Sequence, residues 1–332
     1  MKVCIVGVGA IGGFIGTRLA LAGPCQVSAV ARGATLAALQ THGLRLQQGG
    51  VLLQAPLQAS DQPATLGVQD LVVIAVKAPA LPSVAATIAP LLGAHTLVLP
   101  AMNGVPWWFG AGAPAVGDAP LQSVDPGGLI AAAIPLGQVI GCVVHASTFT
   151  AGPGLVVHKM GQGLIVGEPL GGHSGRVDQL QALLQQAGFE ATASTDVRRD
   201  IWFKLWGNMT MNPITAITGA TVDRVLDDPL TRTFCSSAMA EAAAVGARIG
   251  CAIEQSPADR HVITRKLGAF KTSMLQDVEA GRPIELDALV GAVREIAQRV
   301  GLATPYIDAL YGLARLHGRV RGLYPPGNAA PG

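Results

Sequence analysis

The chain has 332 residues, 50% of them apolar and only 13% charged, with a formal net charge of +2. That length exceeds one comfortable core and predicts two domains, and the apolar share excludes a disordered chain. Lys and Arg do not gather into a phosphate-neutralising stripe, so no nucleic-acid partner is expected.

Mean hydropathy is positive. Even so, no apolar run reaches the roughly 18 uncharged residues that a membrane span needs. The longest runs are broken by Gly and Pro, and Ala-rich helices account for the hydropathy, so no membrane partner is expected. Five cysteines, Cys4, Cys25, Cys142, Cys235 and Cys251, are scattered without CxxC spacing. This argues against a disulfide framework and a zinc site, and for a reducing compartment. The first strand begins at Lys2 with no basic-apolar-small leader before it, so a cytoplasmic protein is expected.

The first half alternates strand-like apolar runs with helical stretches. The runs are Val3–Val8, Gln26–Ala31, Leu71–Val76, Thr96–Leu99, Val139–Val144 and Leu164–Gly167; the helices include Ile11–Ala22 and Val177–Ala187. Near-continuous apolar runs fit strands covered on both faces, so the rhythm predicts an α/β fold, a Rossmann-type doubly wound parallel sheet. Beyond Asp196 the pattern becomes helical: Ile201–Asn212, Pro229–Gly250, Pro257–Ala280, Leu286–Val300 and Pro305–Gly318. Pro at the starts and Gly250 and Gly301 at the ends match helix termini. The expected division is a Rossmann-like domain over 1–196, an all-helical domain over 197–322, and a flexible Pro- and Gly-rich tail over 323–332.

Gly7-Val8-Gly9-Ala10-Ile11-Gly12 follows an apolar strand and opens a helix with Ile11, Ile15 and Leu19 on one face. Gly7 permits the tight turn, Gly9 lets the backbone approach a pyrophosphate, and Gly12 allows close helix–strand packing. Helix N-terminal N–H groups then hold the phosphates. The second strand ends in Val30-Ala31-Arg32-Gly33. It lacks the acid that would hold NAD ribose hydroxyls, while Arg32 could pair with a 2′-phosphate, so NADPH is the expected cofactor. A solvated loop Arg is the plainer reading.

Ligands of such sheets bind beyond the carboxyl ends of the strands. Lys77, Asn103-Gly104 and His145 fall there. Lys77 could support the nicotinamide half or the substrate, and Asn103 could orient substrate through its amide. His145 reads mainly as a structural hydrogen-bonder, and Trp107-Trp108 as a pocket wall or as ordinary packing.

In the second half, Lys204, Asn208 and Asn212 recur at i, i+4 and i+8 among Trp202, Phe203, Leu205, Trp206, Met209 and Met211. One polar stripe hemmed in by large apolar side chains suggests a Lys in a partly dry cleft. Its ammonium form is then disfavoured, which makes it a competent general acid for carbonyl reduction. A snorkelling Lys with two capping Asn residues is the alternative. Ser273 and Asp277 share a helix face, and Glu285 sits at a helix start, where it could bond Lys204 or a substrate hydroxyl, or face the helix dipole.

Taken in order, Gly7–Gly12, Arg32-Gly33, Lys77, Asn103-Gly104, the Lys204–Pro213 stretch, Thr272–Asp277 and Arg282–Asp287 resemble the ketopantoate reductase (2-dehydropantoate 2-reductase) family along nearly the whole chain. The resemblance implies NADPH-dependent reduction of a 2-oxo acid, most simply 2-dehydropantoate to pantoate in pantothenate biosynthesis. It implies Lys204 as general acid and Glu285 as its assistant or a substrate ligand. Asn103, Asn208, Asn212 and Ser273 would position substrate. The Gly loop, Arg32, Lys77 and Asn103 would hold NADPH. Three features depart from the family pattern: Phe270 stands where an Asn is usual, Ile217–Val222 offers Thr218 and Thr221 but no Asn, and the Trp107-Trp108 pair suggests a divergent branch. The two missing Asn residues fall where the family reads the far end of its substrate. Other readings stay open: a β-hydroxyacid-dehydrogenase-like enzyme, a non-catalytic NADPH-binding sensor, or an apolar-surface interaction protein. The long helices after 229 could also bury a homodimer interface.

Overall fold

The computed structural model describes residues 1–326, so the end of the 323–332 tail lies outside the described residues. The chain divides into two compact units. One joins Met1–Trp108 to Gly127–Asp200, and the other joins Phe109–Pro126 to the chain from Ile201 on.

The first unit runs β1 (Lys2–Val6), α1 (Ala10–Leu21), β2 (Gln26–Val30), α2 (Gly33–His42), β3 (Leu44–Gln48), β4 (Val51–Ala55), β5 (Gln58–Ser60), β6 (Leu71–Ile74), α3 (Leu81–Ala85), β7 (Leu97–Pro100), α4 (Leu129–Ala133), β8 (Gly141–Gly152), β9 (Leu155–Gly167), α5 (Gly175–Gln186) and β10 (Glu190–Ser194). Five strands form one sheet in the order β5-β2-β1-β6-β7, every pair parallel. This is the expected Rossmann-type arrangement. The order reverses between β1 and β6, which opens a crevice beyond the carboxyl ends of those strands.

The runs at Val139–Val144 and Leu164–Gly167 do not join that sheet. They lie in β8 and β9, an antiparallel pair within a second sheet of order β10-β9-β3-β4. Only Pro153-Gly154 connects the two strands, too short a link for a parallel crossover. The β3–β4 hairpin turns at Gly49-Gly50, both with positive φ as a primed turn requires. Helix α1 lies between the two sheets. A Cβ on Gly16 would come 3.0 Å from Ile5 of β1, and one on Gly13 would come 2.6 Å from Val156 of β9. Seven of its residues are buried, so α1 is covered nearly all round and is not one-faced as its sequence suggests.

The second unit consists of α6 (Val197–Thr218, its first turn in unit one), α7 (Val222–Asp227), α8 (Pro229–Arg248), α9 (Pro257–Arg265), α10 (Ser273–Glu279), α11 (Ala292–Arg299) and α12 (Pro305–Val320). The single helix expected over Pro257–Ala280 is two. Gly268 takes φ +61, and the Thr272 side chain caps α10 by accepting from the Leu275 N–H. The helix expected from Leu286 opens with a π turn, Asp287–Gly291, before α11. Residues 109–126 belong to this unit. The Glu295 carboxylate accepts from the backbone N–H groups of Gln122 and Ser123 and from the Ser123 hydroxyl, and Arg299 donates to the Ala119 and Pro120 carbonyls.

The start of the expected flexible tail is ordered into this core. Leu323 is buried and accepts from the Ile284 N–H at 3.0 Å. The Tyr324 hydroxyl donates to Asp287 Oδ1 at 2.6 Å, beside a second donation from Tyr311 at 2.7 Å. Burial and the Asp287 carboxylate push the Tyr324 phenol far above its ordinary pKa, which keeps it a donor.

Candidate active site

In the first unit the Gly loop supplies a cradle whose three glycines differ physically. Gly7 has φ +92 and donates to the Val30 carbonyl at 3.2 Å, and a Cβ there would strike Val76 at 2.5 Å. At Gly12 a Cβ would lie 2.0 Å from the Gly7 oxygen and 3.1 Å from Ala75. At Gly9 a Cβ would meet no atom within 4 Å. Gly9 is also the N-cap of α1, with no side-chain cap and no acid in the first turn. The orphan N–H groups of α1 therefore start beside open space, the geometry a pyrophosphate needs.

That space continues into a cavity of about 300 Å³ lined by Gly7, Val8, Gly9, Val30, Ala31, Arg32, Thr35, Val76, Ser83, Val84 and Thr87, among others. Ala10, Ile11 and Gly12 form the first turn of α1 behind it. Apolar walls at Val30, Val76 and Val84 suit an adenine ring. Arg32 is the only charged side chain of the lining, which contains no carboxylate. It is exposed, and among the described residues no acid pairs with it. These residues fit a dinucleotide. The sequence reading missed Thr35, Ser83 and Thr87. No motif marks them, and only the folded cavity gathers their hydroxyls.

Lys77 follows β6 and Asn103 follows β7, both half-buried. Because β1, β6 and β7 are parallel and adjacent, both stand at the same sheet edge as the Gly loop. His145 is exposed within β8, in register with Gly163, in the second sheet. Trp107 and Trp108 are buried, and Trp108 packs on Gly141, where a Cβ would lie 3.0 Å from its ring. The pair is core packing.

In the second unit α6 carries the polar stripe. Its opposite face is fixed to α8 by two indole hydrogen bonds, Trp202 Nε1 to the Ala242 carbonyl at 3.2 Å and Trp206 Nε1 to the Met239 carbonyl at 2.7 Å. Gly246 makes room for the first, since a Cβ there would lie 2.3 Å from Trp202 Nε1. With that face locked, Lys204 and Asn208 are half-buried and Asn212 is buried. Pro213, inside α6, cannot donate to the carbonyl four residues back. Thr215 Oγ1 lies 2.6 Å from Thr272 Oγ1 and also donates to the Asn212 carbonyl at 3.0 Å. This ties the start of α10, where Ser273 is the first residue and exposed, to the Asn212 turn of α6. Glu285 is half-buried on the segment entering the π turn, a segment anchored on both sides by Ile284 and Asp287. Asp277, expected to share a polar face with Ser273, is buried and accepts from Arg282 Nε at 3.1 Å. Phe270 packs with Met211, Ile214 and Val222 in an apolar cluster.

Residues 3–171 match the ketopantoate reductase PanE/ApbA family and residues 196–318 match its C-terminal domain. The chain belongs to the ketopantoate reductase family. It is an enzyme of the oxidoreductase class. A 2-dehydropantoate 2-reductase from Mesorhizobium japonicum is 44% identical over 326 residues, covering 98% of this chain and all of the relative. A solved structure of a candidate ketopantoate reductase from Ralstonia solanacearum is 57% identical, with a TM-score of 0.93 over 97% of this chain and 99% of that one. A PanE/ApbA family ketopantoate reductase from Ralstonia eutropha is 27% identical, with a TM-score of 0.83 over 97% of this chain and 100% of that one.

Proposed function

We propose that this member of the family reduces a 2-oxo acid to a 2-hydroxy acid with NADPH, acting on 2-dehydropantoate to give pantoate for pantothenate synthesis in the cytoplasm. The observation that carries this reading is α6: a half-buried Lys204 one turn from Asn208, on a helix held rigid by two tryptophan hydrogen bonds. Lys204 would donate a proton to the C2 oxygen of the substrate as the bond order of its carbonyl falls. Asn208, Asn212, Ser273 and Asn103 would orient the acid, and Glu285 would hold the Lys204 ammonium or a substrate hydroxyl. Bound NADPH would supply the hydride to C2, its phosphates held by the α1 N-terminus and its nicotinamide half supported by Lys77. The carbonyl thus gains one hydride and one proton, and NADP⁺ leaves. An exposed apolar stripe of Leu313, Leu316 and Val320 on α12 supports a homodimer in the same reading.

The deciding experiment follows NADPH consumption by the purified protein with 2-dehydropantoate and a panel of other 2-oxo acids. Turnover of at least one of them is expected, with 2-dehydropantoate preferred. NADPH binding without turnover of any acid would favour the sensor reading.

Choice of cofactor rests on Arg32 and the missing acid. Arg32→Ala is expected to raise the KM for NADPH by about tenfold, the scale of one lost charge-assisted contact at an exposed site. The KM for NADH should stay unchanged. An equal loss with both cofactors would show that Arg32 does not read the 2′-phosphate.

A further inference from the structure

Arg260, in α9, lies across the lysine helix. Its guanidinium carbon is 5.2 Å from the centre of the Phe203 ring. A Cβ on Gly207 would stand 2.9 Å from its Nε and 3.0 Å from its Nη2, so the glycine opens the groove in which the guanidinium lies. Its Nε is buried and has no hydrogen-bond partner. Among the described residues no carboxylate pairs with it. Burial also lowers its pKa from the ordinary arginine value. Arg265, one turn further along α9, shows the usual alternative: it pairs with Asp227 and donates to the Leu226 carbonyl.

A half-desolvated guanidinium without an acceptor costs stability, and stacking on one ring recovers only part of it. Such a group is stabilised when an anion arrives. Its location says which anion. Phe203 and Gly207 are neighbours of Lys204 at i−1 and i+3, and Gly207 adjoins Asn208. A 2-oxo acid brings a carboxylate to that helix whenever its C2 oxygen faces Lys204.

We propose that Arg260, seated in the groove made by Gly207, binds a carboxylate of the 2-oxo acid substrate and sets the preference of this enzyme for acids. The proposal rests on the 2-oxo acid reductase reading above. The carboxylate is either the one beside the carbonyl or a second one at the far end of a diacid. No bond changes at Arg260; it contributes bidentate N–H donation and charge.

The test compares the full-length enzyme with Arg260→Met and Arg260→Lys on three substrate sets: 2-oxo monoacids, 2-oxo diacids and neutral 2-oxo amides. For Arg260→Met we expect the KM for acids to rise at least about tenfold, kcat to stay within about threefold, and NADPH affinity to hold, the pattern of a lost binding contact. Loss with every acid assigns the carboxylate beside the carbonyl, and loss with diacids alone assigns the distal one. Neutral amides should be handled alike by both proteins, and Arg260→Lys should recover part of the loss. The Tm of Arg260→Met should stay level or rise, because an unpaired desolvated charge is removed. Unchanged KM values in an active Arg260→Met enzyme overturn the proposal, and a falling Tm alongside them makes Arg260 a structural brace. A wild-type protein that reduces no 2-oxo acid overturns the functional reading, and this proposal with it.

Discussion

Replacing Lys204 by alanine is expected to lower kcat by two to four orders of magnitude while leaving NADPH affinity intact. A positioned general acid contributes roughly 10²–10⁴ in rate, about 3–5 kcal/mol of barrier. The loss should fall on kcat, because the proton moves only as charge develops on the C2 oxygen. The fold should survive the change. Lys204 is only half-buried, while the packing of α6 is secured on its other face by Trp202 and Trp206. A Tm within a few degrees of wild type, with a small primary amine restoring part of the rate, would assign the proton to this side chain. Turnover unchanged within about threefold would remove Lys204 from the chemistry, since a lost general acid costs far more.

Much of this site is visible in the chain because its parts are local. The Gly loop and the Lys204–Asn208–Asn212 stripe each lie within one short stretch of chain, so spacing alone shows which side chains share a face. What spacing cannot show is whether a face is wet. Asp277 looked like a partner for Ser273 on a polar stripe, yet Arg282 folds back onto it and buries it. Phe270 read as a departure from the family pattern at the substrate's far end, and the fold seats it in an apolar cluster with Met211 and Ile214. Arg260 gave no signal, because an arginine without its acid looks like any other until the groove at Gly207 and the bare Nε are seen together.

The fold shows the same division. Parallel strands buried on both faces are written as apolar runs, and four of the six runs, all but those at Val139 and Leu164, entered the first sheet as expected. Those two pair with each other across a two-residue link and belong to a second sheet. Its other strands, β3, β4 and β10, are five residues each and interrupted by polar residues, so they escape a search for long apolar runs. The Gly49-Gly50 turn was the one local signal of the β3–β4 hairpin. The tail misled for a different reason. Pro and Gly after Leu323 suggested fraying, but Leu323 and Tyr324 are held by long-range bonds to Ile284 and Asp287 that no local window contains.

The three loop glycines make the sharpest forecast for the cofactor site, because the structure gives them different jobs. In Gly12→Ala the new methyl would sit 2.0 Å from the Gly7 carbonyl oxygen, a backbone atom that cannot swing aside. The loop must open, and overpacking of this kind costs at least about 2 kcal/mol. In a protein of this size that lowers Tm by about 3 °C. NADPH affinity should collapse with it, since the N–H groups of α1 lose their fixed aim. Gly9→Ala differs in sign. Its φ of −86 suits alanine, and its methyl meets no protein atom within 4 Å. Stability should hold or rise by up to about 1 kcal/mol through the stiffer unfolded chain. The methyl occupies the space a pyrophosphate must enter, so NADPH affinity should still fall by about tenfold, roughly one contact with a charged group. Thermal melts and NADPH titrations of the two variants therefore separate a glycine that packs the loop from one that admits the ligand. If Gly9→Ala bound NADPH as wild type does, the open space at Gly9 would not be the phosphate site. If Gly12→Ala melted as wild type does, the close approach of α1 to its loop would not be what fixes the donors.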